Sequence, residues 1–364
     1  MNTVNEVKPV KLGIPAVLSR MIAVSAGVAA LVLGMVGNAH AQAAKAISPA
    51  AAAAELEALV KAAKADGEAT LYTATPDNQA RRLVDAFSAK YGIKIGFLRV
   101  AGVSLRQRYV AEAEAGKFAA DIMMTAGAAD LFADECVKKG WMEPVSEAGI
   151  PALRSGEFPA RLNRGVSAIV QITPWLIGYN TEKVKGADVP KDWKDLLNPK
   201  FKGQIIIPDP RAAFAYLDVW SLIADTYGTG FVQQLRAQNP RILAAGAAAI
   251  QALGAGEGAI LFPTTGGNMM DVRGKGAPVD MVVPEKTTGV EMQLMLTHRS
   301  KTRHNTAARL LANYIMSMEG NKVLNDEPGG ITIYDSKGLP RQYESPKASA
   351  QGRSAELTGL LGIQ

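Results

Sequence analysis

Hydroxyl, amide, guanidinium and aromatic side chains stand at places where a short apolar run gives way to an amphipathic stretch. A hydroxyl both donates and accepts hydrogen bonds, and a guanidinium can hold a carboxylate or phosphonate through two parallel bonds. A glycine among them lets a bound molecule approach the backbone closely. These groups together suit a small organic acid with an apolar or ring portion. The candidate binding residues are Thr73, Thr75, Ser104, Thr125, Gly127, Trp175, Arg211, Phe214, Thr264, Thr265 and Asn268.

Several of these residues have an alternative structural interpretation. Thr75 and Ser104 are of the residue types that cap helix N-termini, so each hydroxyl could cap its own helix with or without contacting a ligand. Trp175 could pack at a crossing between lobes or stack on a ligand. Phe214 could pack in the core or form one wall of a pocket. The sequence leaves these alternatives open.

Arg211 also has two interpretations. It could clamp the acidic group of a ligand, or it could form a salt bridge with Asp209 or Asp218. Asp209 and Pro210 are expected to start a helix, with Asp209 at the cap and Pro210 at the first helical position.

The sequence contains no recognisable set of residues for catalysis or for a metal. Its three histidines, His40, His298 and His304, have no second ligand at zinc spacing. Its single cysteine, Cys136, can form no intrachain disulfide and is expected to be a buried thiol. Neither a Gly-x-Ser-x-Gly elbow nor a P-loop is present. We therefore expect no enzyme activity, no metal site and no cofactor.

The elements that position the candidate residues follow an α/β pattern. Short apolar runs alternate with amphipathic stretches, which is typical of parallel sheets covered by helices. Pro174-Trp175 separates the apolar runs 166–172 and 176–179, and we interpret it as the first crossing between two lobes. The expected divisions are a first lobe of residues 68–174 and 284–340, a second lobe of 175–283, and a C-terminal tail of 341–364. Residues 343–353 are expected to be loose, with a short helix after them.

Ligands of open α/β sheets bind beyond the carboxyl ends of the strands, where the helices begin. Three such loops from each lobe are therefore expected to face a common cleft. Each helix start offers unpaired N–H groups and a partial positive charge, which suits an anion even without a lysine.

Four short motifs occur in a fixed order in the middle of the chain. They are Tyr179-Asn180-Thr181, Trp193 with Leu196-Leu197, Pro199-Lys200-Phe201-Lys202-Gly203, and Asp209-Pro210-Arg211. In this order and spacing the chain resembles the iron(III)-type solute-binding proteins of bacterial ABC importers, from about Glu68 to about Tyr334. The resemblance implies the α/β fold of type II periplasmic binding proteins, two α/β lobes joined by hinge crossovers. It also implies capture of a small molecule between the lobes and delivery to an ABC permease in the inner membrane.

The chain departs from these relatives at two points of the expected site. Iron-binding members carry adjacent tyrosines after the strand that matches 259–262, whereas this chain has Pro263-Thr264-Thr265. After Asp209-Pro210-Arg211, where relatives often have hydroxyl side chains, it has Ala212-Ala213-Phe214. We therefore expect an anionic organic ligand rather than a bare ferric ion.

The N-terminus has the features of an export signal. Lys8, Lys11 and Arg20 precede an uncharged run of Ala, Gly and aliphatic residues, and Ala39-His40-Ala41 is a cleavage pattern. We expect cleavage after Ala41 and a periplasmic location, although an uncleaved membrane anchor is the alternative. The net charge of +6 is mild and no basic cluster with interleaved aromatic residues is present, so no nucleic-acid partner is expected. We also expect a monomer.

Other functions remain compatible with this pattern. The chain could be a ferric-ion or iron-chelate receptor, or a sensory ligand-binding module that reports to a membrane receptor. An enzyme on the same fold would need a general base and a nucleophile in the cleft, and the candidate loops contain no His, Cys or Lys.

Overall fold

The computed structural model describes residues 46–100, 102–326 and 330–363. The predicted signal peptide, residues 1–41, lies outside the described residues. Among the helices that are described, none is both long enough and apolar enough to cross a membrane.

Strands and helices alternate from β1 to β5 and from β6 to β8, while only 3₁₀ turns separate β5 from β6. The α-helices are α1 Pro49–Asp66, α2 Asp77–Tyr91, α3 Gly102–Glu114, α4 Ala129–Lys138, α5 Pro151–Arg154, α6 Phe214–Tyr227, α7 Thr229–Ala237, α8 Gly246–Gly254, α9 Gly266–Gly274, α10 Asn305–Met316, α11 Met318–Leu324 and α12 Ser354–Leu361. The strands are β1 Glu68–Thr73, β2 Lys94–Arg99, β3 Ile122–Thr125, β4 Met142–Glu143, β5 Ala168–Asn180, β6 Ile205–Pro208, β7 Arg241–Leu243, β8 Ile260–Thr265, β9 Val279–Val282, β10 Lys286–Thr287, β11 Gly289–Thr297 and β12 Gln342–Tyr343.

A mixed sheet runs in the order β2-β1-β3-β11-β5-β8-β6-β7, with β4 beside β11 and β9 beside β5. Strands β2, β1 and β3 are parallel, and so are β8, β6 and β7. Between these two parallel groups, β11 and β5 run antiparallel to their neighbours. Parallel strands place their carboxyl ends at one edge of a sheet, so each group presents its strand-to-helix loops together.

The 13-residue strand β5 joins the two groups. Its residues as far as Pro174 pair with β11, and from Trp175 onward they pair with β8 and β9. The pairing partner therefore changes at Pro174-Trp175, where the sequence predicts a crossing. We call β2, β1, β3 and β11, with the helices that pack on them, the first half of the sheet. We call β8, β6, β7 and β9, with their helices, the second half.

Each half has its own apolar core. Phe87 of α2 and Leu311 of α10 are fully buried in the first half. Trp193, Trp220 and Phe262 are fully buried in the second half, where both tryptophan rings contact the phenylalanine ring. Burying one such side chain contributes roughly 1.5–3 kcal/mol. Every residue of β6 is buried, as expected for a strand covered on both faces.

The C-terminal stretch is not the loose tail that its polar composition predicts. Tyr343 lies in β12, which pairs with β10. Lys347 and Arg353 both form ion pairs with Asp225 of α6, at 2.8 Å each. Leu357 of α12 is buried in the core of the second half. The expectation was wrong because the partners of these side chains are distant in sequence.

Candidate ligand-binding site

Two threonine hydroxyls of the first half are buried without a hydrogen-bond partner. Thr75 follows β1 and Thr125 ends β3, and neither Oγ1 bonds to another described residue. Thr73 differs, because its Oγ1 accepts a hydrogen bond from the backbone N–H of Thr75 at 3.0 Å. Burying an unpaired hydroxyl costs about 1–3 kcal/mol. The hydroxyls of Thr75 and Thr125 are therefore suited to a bound partner.

Neither Thr75 nor Ser104 caps a helix. Pro76 occupies the N-cap position of α2, so Thr75 stands one residue too early. Helix α3 already begins at Gly102, which places Ser104 in its first turn with an exposed side chain. The capping interpretation of both residues was wrong, because α2 begins one residue later than expected and α3 begins two residues earlier.

Gly127 brings the first half into contact with the second. Its φ of 71° is in the left-handed region, which favours glycine. A Cβ atom added there would lie 2.6 Å from the Cβ of Phe214 at the start of α6. Only a residue without a side chain fits this contact.

Arg106 contacts both Gly127 and Phe214, and it is absent from the residues predicted from the sequence. It lies on α3, and its Nη2 donates hydrogen bonds to the carbonyl oxygens of Ala126 and Gly127. Its guanidinium lies 5.3 Å from the ring centre of Phe132 and 5.3 Å from that of Phe214. The cation therefore lies between one ring from each half of the sheet.

The charge of Arg106 has no ion-pair partner among the described residues. Its Nε is buried and makes no hydrogen bond there. Burial lowers the pKa of the guanidinium to about 10, although Asp130 and Asp218 lie near enough to oppose that shift. The group is still cationic at neutral pH. A half-buried cation held by two carbonyl oxygens, with a buried Nε–H that has no described acceptor, suits an anionic partner.

Trp175 and Tyr216 form the second side of the candidate site. Their ring centres are 5.2 Å apart, and Trp175 is only 5% exposed. The Trp175 carbonyl accepts a hydrogen bond from the Thr287 hydroxyl, whereas its buried Nε1–H has no described acceptor. A Cβ atom added to Gly246, at the start of α8, would collide with the Tyr216 hydroxyl. Trp175 thus packs at the crossing and also has an unused donor.

The end of β8 and the first turn of α9 contribute unequally. Thr264 is 3% exposed, and its hydroxyl has no partner in the described part of the chain. Thr265 is half-buried, and it pairs with Trp175 across the sheet. Asn268 lies in α9 and is exposed. Thr265 therefore lies beside Trp175, whereas Thr264 pairs with Leu176 and its methyl group lies near Gly178. Asn268 faces solvent.

Arg211 forms the ion pair with Asp209 that the sequence offered as its alternative role. The Nε–Oδ1 and Nη2–Oδ2 distances are 3.1 and 2.8 Å. This pairing lowers the pKa of the Asp209 carboxyl. Asp209 also accepts a hydrogen bond from the Arg211 N–H, and so caps a 3₁₀ turn of Pro210–Ala212. Helix α6 begins at Phe214, later than predicted. The clamp role of Arg211 stays a prediction.

A cavity of about 230 Å³ lies beside Gly127. Gly127 and Ala128 line it together with residues 345–348. Among the predicted binding residues, Gly127 alone lines this cavity. No group of three or more His, Cys, Asp or Glu residues in the described ranges could hold a metal ion.

One sequence signal could have revealed Arg106. It lies on a helix that follows a strand, and ligands of open α/β sheets bind where such helices begin. Its neighbour Leu105 is buried, so the position is also next to the apolar face of α3.

Two parallel groups of strands, joined by antiparallel strands and covered by helices, define a type II periplasmic binding protein. Residues 119–347, more than half of the chain, match the model of the family described as bacterial extracellular solute-binding protein. The chain therefore belongs to this family, whose proteins bind substrates for transport and are not enzymes. The family and the fold predicted from sequence are confirmed.

Individual proteins are also similar to this chain in sequence or in fold. An uncharacterized protein of Haemophilus influenzae is 26% identical over 275 residues, covering 72% of this chain and 76% of that protein. The substrate-binding protein of an ABC transporter from Agrobacterium tumefaciens has a TM-score of 0.68 at 13% identity, over 81% of this chain and 95% of that one. AfuA of Actinobacillus pleuropneumoniae, with fructose-6-phosphate bound, has a TM-score of 0.60 at 20% identity, over 81% and 97%. Iron-bound HitA of Pseudomonas aeruginosa has a TM-score of 0.63 at 16% identity, over 81% and 98%.

Proposed function

We propose that the chain is a periplasmic receptor that captures a small anionic organic ligand between two lobes and delivers it to an ABC importer. The observation that carries this proposal is Arg106, a half-buried cation that lies between the two halves of the sheet without an ion-pair partner among the described residues. A bound anion would compensate its charge, which the two carbonyl oxygens of residues 126 and 127 do only in part.

The groups around Arg106 support an anionic ligand. Thr125 directly precedes Ala126, whose carbonyl oxygen holds the guanidinium. A Cβ atom added to Gly102 would lie 3.1 Å from the Thr125 hydroxyl, so the start of α3 is close to this threonine. A guanidinium, a hydroxyl and the N-terminus of a helix all stabilise negative charge.

The second side supports an organic ligand rather than a bare ferric ion. The Trp175 indole can only donate a hydrogen bond, and the Thr264 hydroxyl is uncharged. Tyr216 is a single phenol, and burial raises its pKa, which disfavours the phenolate that iron requires. Iron-bound HitA shares the fold, but this chain has Pro263-Thr264-Thr265 where iron-binding relatives carry tyrosines.

Delivery to an ABC permease is proposed from the family and from the Agrobacterium protein, which is the substrate-binding protein of an ABC transporter. The export signal of residues 1–41 supports a periplasmic location, with the mature chain beginning at Gln42. We propose that the mature chain acts as a monomer. A sensory module with the same fold would bind the same ligand, and a permease encoded beside the gene would favour the importer.

The test is ligand screening of residues 42–364 by thermal shift, followed by calorimetry. The panel contains organic phosphates, phosphonates and small carboxylates, with uncharged polyols and polyamines for comparison. A ligand present at 100 times its Kd stabilises by about 2.7 kcal/mol, which is readily detected. We expect stabilisation by one of the anionic classes.

The matched variants are Arg106→Gln and Arg108→Gln, two arginines of the same helix. Arg108 is exposed and pairs with Glu112, so its loss should leave binding unchanged. Arg106→Gln should weaken binding of the anion at least tenfold, because a charge-assisted bond contributes about 1.5–3 kcal/mol. Equal affinities of the two variants, or tightest binding of a polyamine, would reject the proposal.

A further inference from the structure

The cavity beside Gly127 contains polar groups that other contacts leave unused. Gln293 of β11 is 6% exposed, and its Oε1 accepts a hydrogen bond from the Ser167 hydroxyl. Its Nε2 makes no hydrogen bond to a described residue, and the side chain lines the cavity. Asp130, in the first turn of α4, also lines the cavity and has no hydrogen bond or ion pair within the described ranges.

Two opposite charges complete the polar lining. Glu291 is 5% exposed, and it accepts a hydrogen bond from the Tyr343 hydroxyl at 3.0 Å. The Nη2 of Arg164 is 3.7 Å from the Glu291 carboxylate, which exceeds hydrogen-bond distance. Both groups line the cavity and retain capacity for a further partner.

The C-terminal segment, residues 343–353, contributes one wall of the cavity. Its residues 345–348 line the cavity. Beyond them, the Gln351 amide donates hydrogen bonds to the Phe214 carbonyl and to the Asp218 carboxylate, both at 3.1 Å. Before them, β12 pairs with β10. The wall is therefore fixed against α6, whose first residue, Phe214, contacts Gly127 and Arg106.

We propose that this cavity is a second subsite, which takes a hydroxyl-bearing portion of the ligand whose anionic group meets Arg106. The proposal rests on the proposed function and names the chemistry of the rest of the ligand. The two sites adjoin through Gly127, whose carbonyl oxygen holds Arg106 and whose backbone lines the cavity. A volume of about 230 Å³ has room for several groups of the size of a water molecule.

The lining discriminates between chemical classes. Asp130 and Glu291 accept hydrogen bonds, whereas Arg164 and the Nε2 of Gln293 donate them. An ammonium group has donors only, so it would leave Arg164 and Gln293 unmatched. A second carboxylate has acceptors only, so it would face Asp130 and Glu291. Hydroxyl groups both donate and accept, and they match the whole set.

The test compares ligands that share an anionic group and differ in the remainder. The phosphate series is propyl phosphate, glycerol 3-phosphate and O-phosphoethanolamine. The carboxylate series is butanoate, 3,4-dihydroxybutanoate and 4-aminobutanoate. Calorimetry on residues 42–364 should show the dihydroxy member of at least one series binding about tenfold or more tighter than its alkyl member, since two added hydrogen bonds have this effect.

The matched variants are Ala348→Trp and Ser349→Trp, at neighbouring exposed positions. Ala348 lines the cavity and Ser349 does not. Ala348→Trp should abolish the preference for hydroxyl groups and leave the affinity for the alkyl member unchanged, whereas Ser349→Trp should keep the preference. Ser345→Trp provides a second obstruction if Ala348→Trp does not fold.

The outcomes separate the two proposals. If alkyl compounds bind through Arg106 but hydroxyl groups add nothing, the subsite is wrong and the proposed function stands. A preference for the amines, or a hydroxyl preference that survives both cavity variants, also overturns the subsite. If an anion from the wider screen binds through Arg106 but none of the six compounds does, the subsite is overturned and the proposed function stands.

Discussion

The guanidinium of Arg106 and the ring of Phe214 face each other at 5.3 Å across the two halves of the sheet. A contact of this kind contributes about 0.5–2 kcal/mol, with the higher values where water is excluded. Because the Arg106 charge is not neutralised by the ring, an anion can join the contact rather than replace it. Binding would then stabilise the approach of the two halves by differential affinity.

Gly127→Ala should destabilise the protein more than Gly203→Ala does. Both glycines have φ of 71°, and a side chain at either position would cost roughly 1–2 kcal/mol in backbone strain. An added Cβ meets nothing at position 203 but lies 2.6 Å from Phe214 at position 127. Urea unfolding measures the loss of stability in each of the two variants. Equal losses would show that α6 moves away from Gly127 at no cost.

Replacing unpartnered hydroxyls should weaken binding without weakening the fold. Thr125→Val and Thr264→Val keep the side-chain shape and remove hydroxyls that bond to no described residue. We expect unchanged or slightly higher stability, and a several-fold to hundredfold loss of affinity for the anion found by screening. Thr297→Val is the matched control, because its buried hydroxyl donates to the Ala120 carbonyl at 2.6 Å. Thr297→Val should lose stability and keep its affinity for the anion. If Thr125→Val and Thr264→Val instead lose stability and keep their affinity, Thr125 and Thr264 lie outside the site.

The stability of the protein should depend on the ionisation of Asp218. Burial raises the pKa of its carboxyl to about 7, and Glu291 adds to the shift, while Gln351 and Arg106 oppose it. Between about pH 4 and pH 7 the folded state then binds more protons than the unfolded state, so stability falls as pH rises. Asp218→Asn keeps an acceptor for Gln351 and removes this dependence. The unfolding free energies of the unchanged protein and of Asp218→Asn, measured from pH 4 to pH 8, should converge at low pH. Parallel curves for the two proteins would show that the pKa of Asp218 is not raised.

The protein should stay colourless when ferric citrate is added. Tyr216 is the phenol that lies against Trp175, and its raised pKa opposes loss of the proton. Neutral threonine hydroxyls and an indole cannot replace the water shell of a small trivalent ion. Absorption spectroscopy would detect a tyrosinate-to-iron band. A band that saturates at one iron per chain would restore the ferric receptor as the better hypothesis.

The fold was predictable because it depends on patterns local to each element. The buried run Ile205–Pro208, the Asp209 cap and the boundary at Pro174-Trp175 are all visible in short stretches of sequence. An apolar run indicates a buried element, and Pro or Asp before an amphipathic stretch indicates where a helical turn begins. The four motifs near the middle of the chain then identified the family.

The site was less predictable because side-chain partners are distant in sequence. Arg106 is held by carbonyl groups about 20 residues away, and its second ring comes from Phe214 in the other half. The guanidinium of Arg211 suggested a clamp for the acidic group of a ligand. Only the structure shows that this guanidinium forms an ion pair with Asp209. Binding by the eleven residues predicted from sequence stays a prediction, although several of their polar atoms are buried without described partners.

The burial of Leu357 has a consequence for the order in which the chain folds. This residue lies in the same core as Trp193 and Trp220. The core therefore combines segments that are synthesised at different times, because they are far apart in sequence. The core cannot close until α12 has been synthesised. Contacts of such long sequence separation slow folding. We expect the newly made chain to remain unfolded for longer, which favours passage across a membrane before the second half closes.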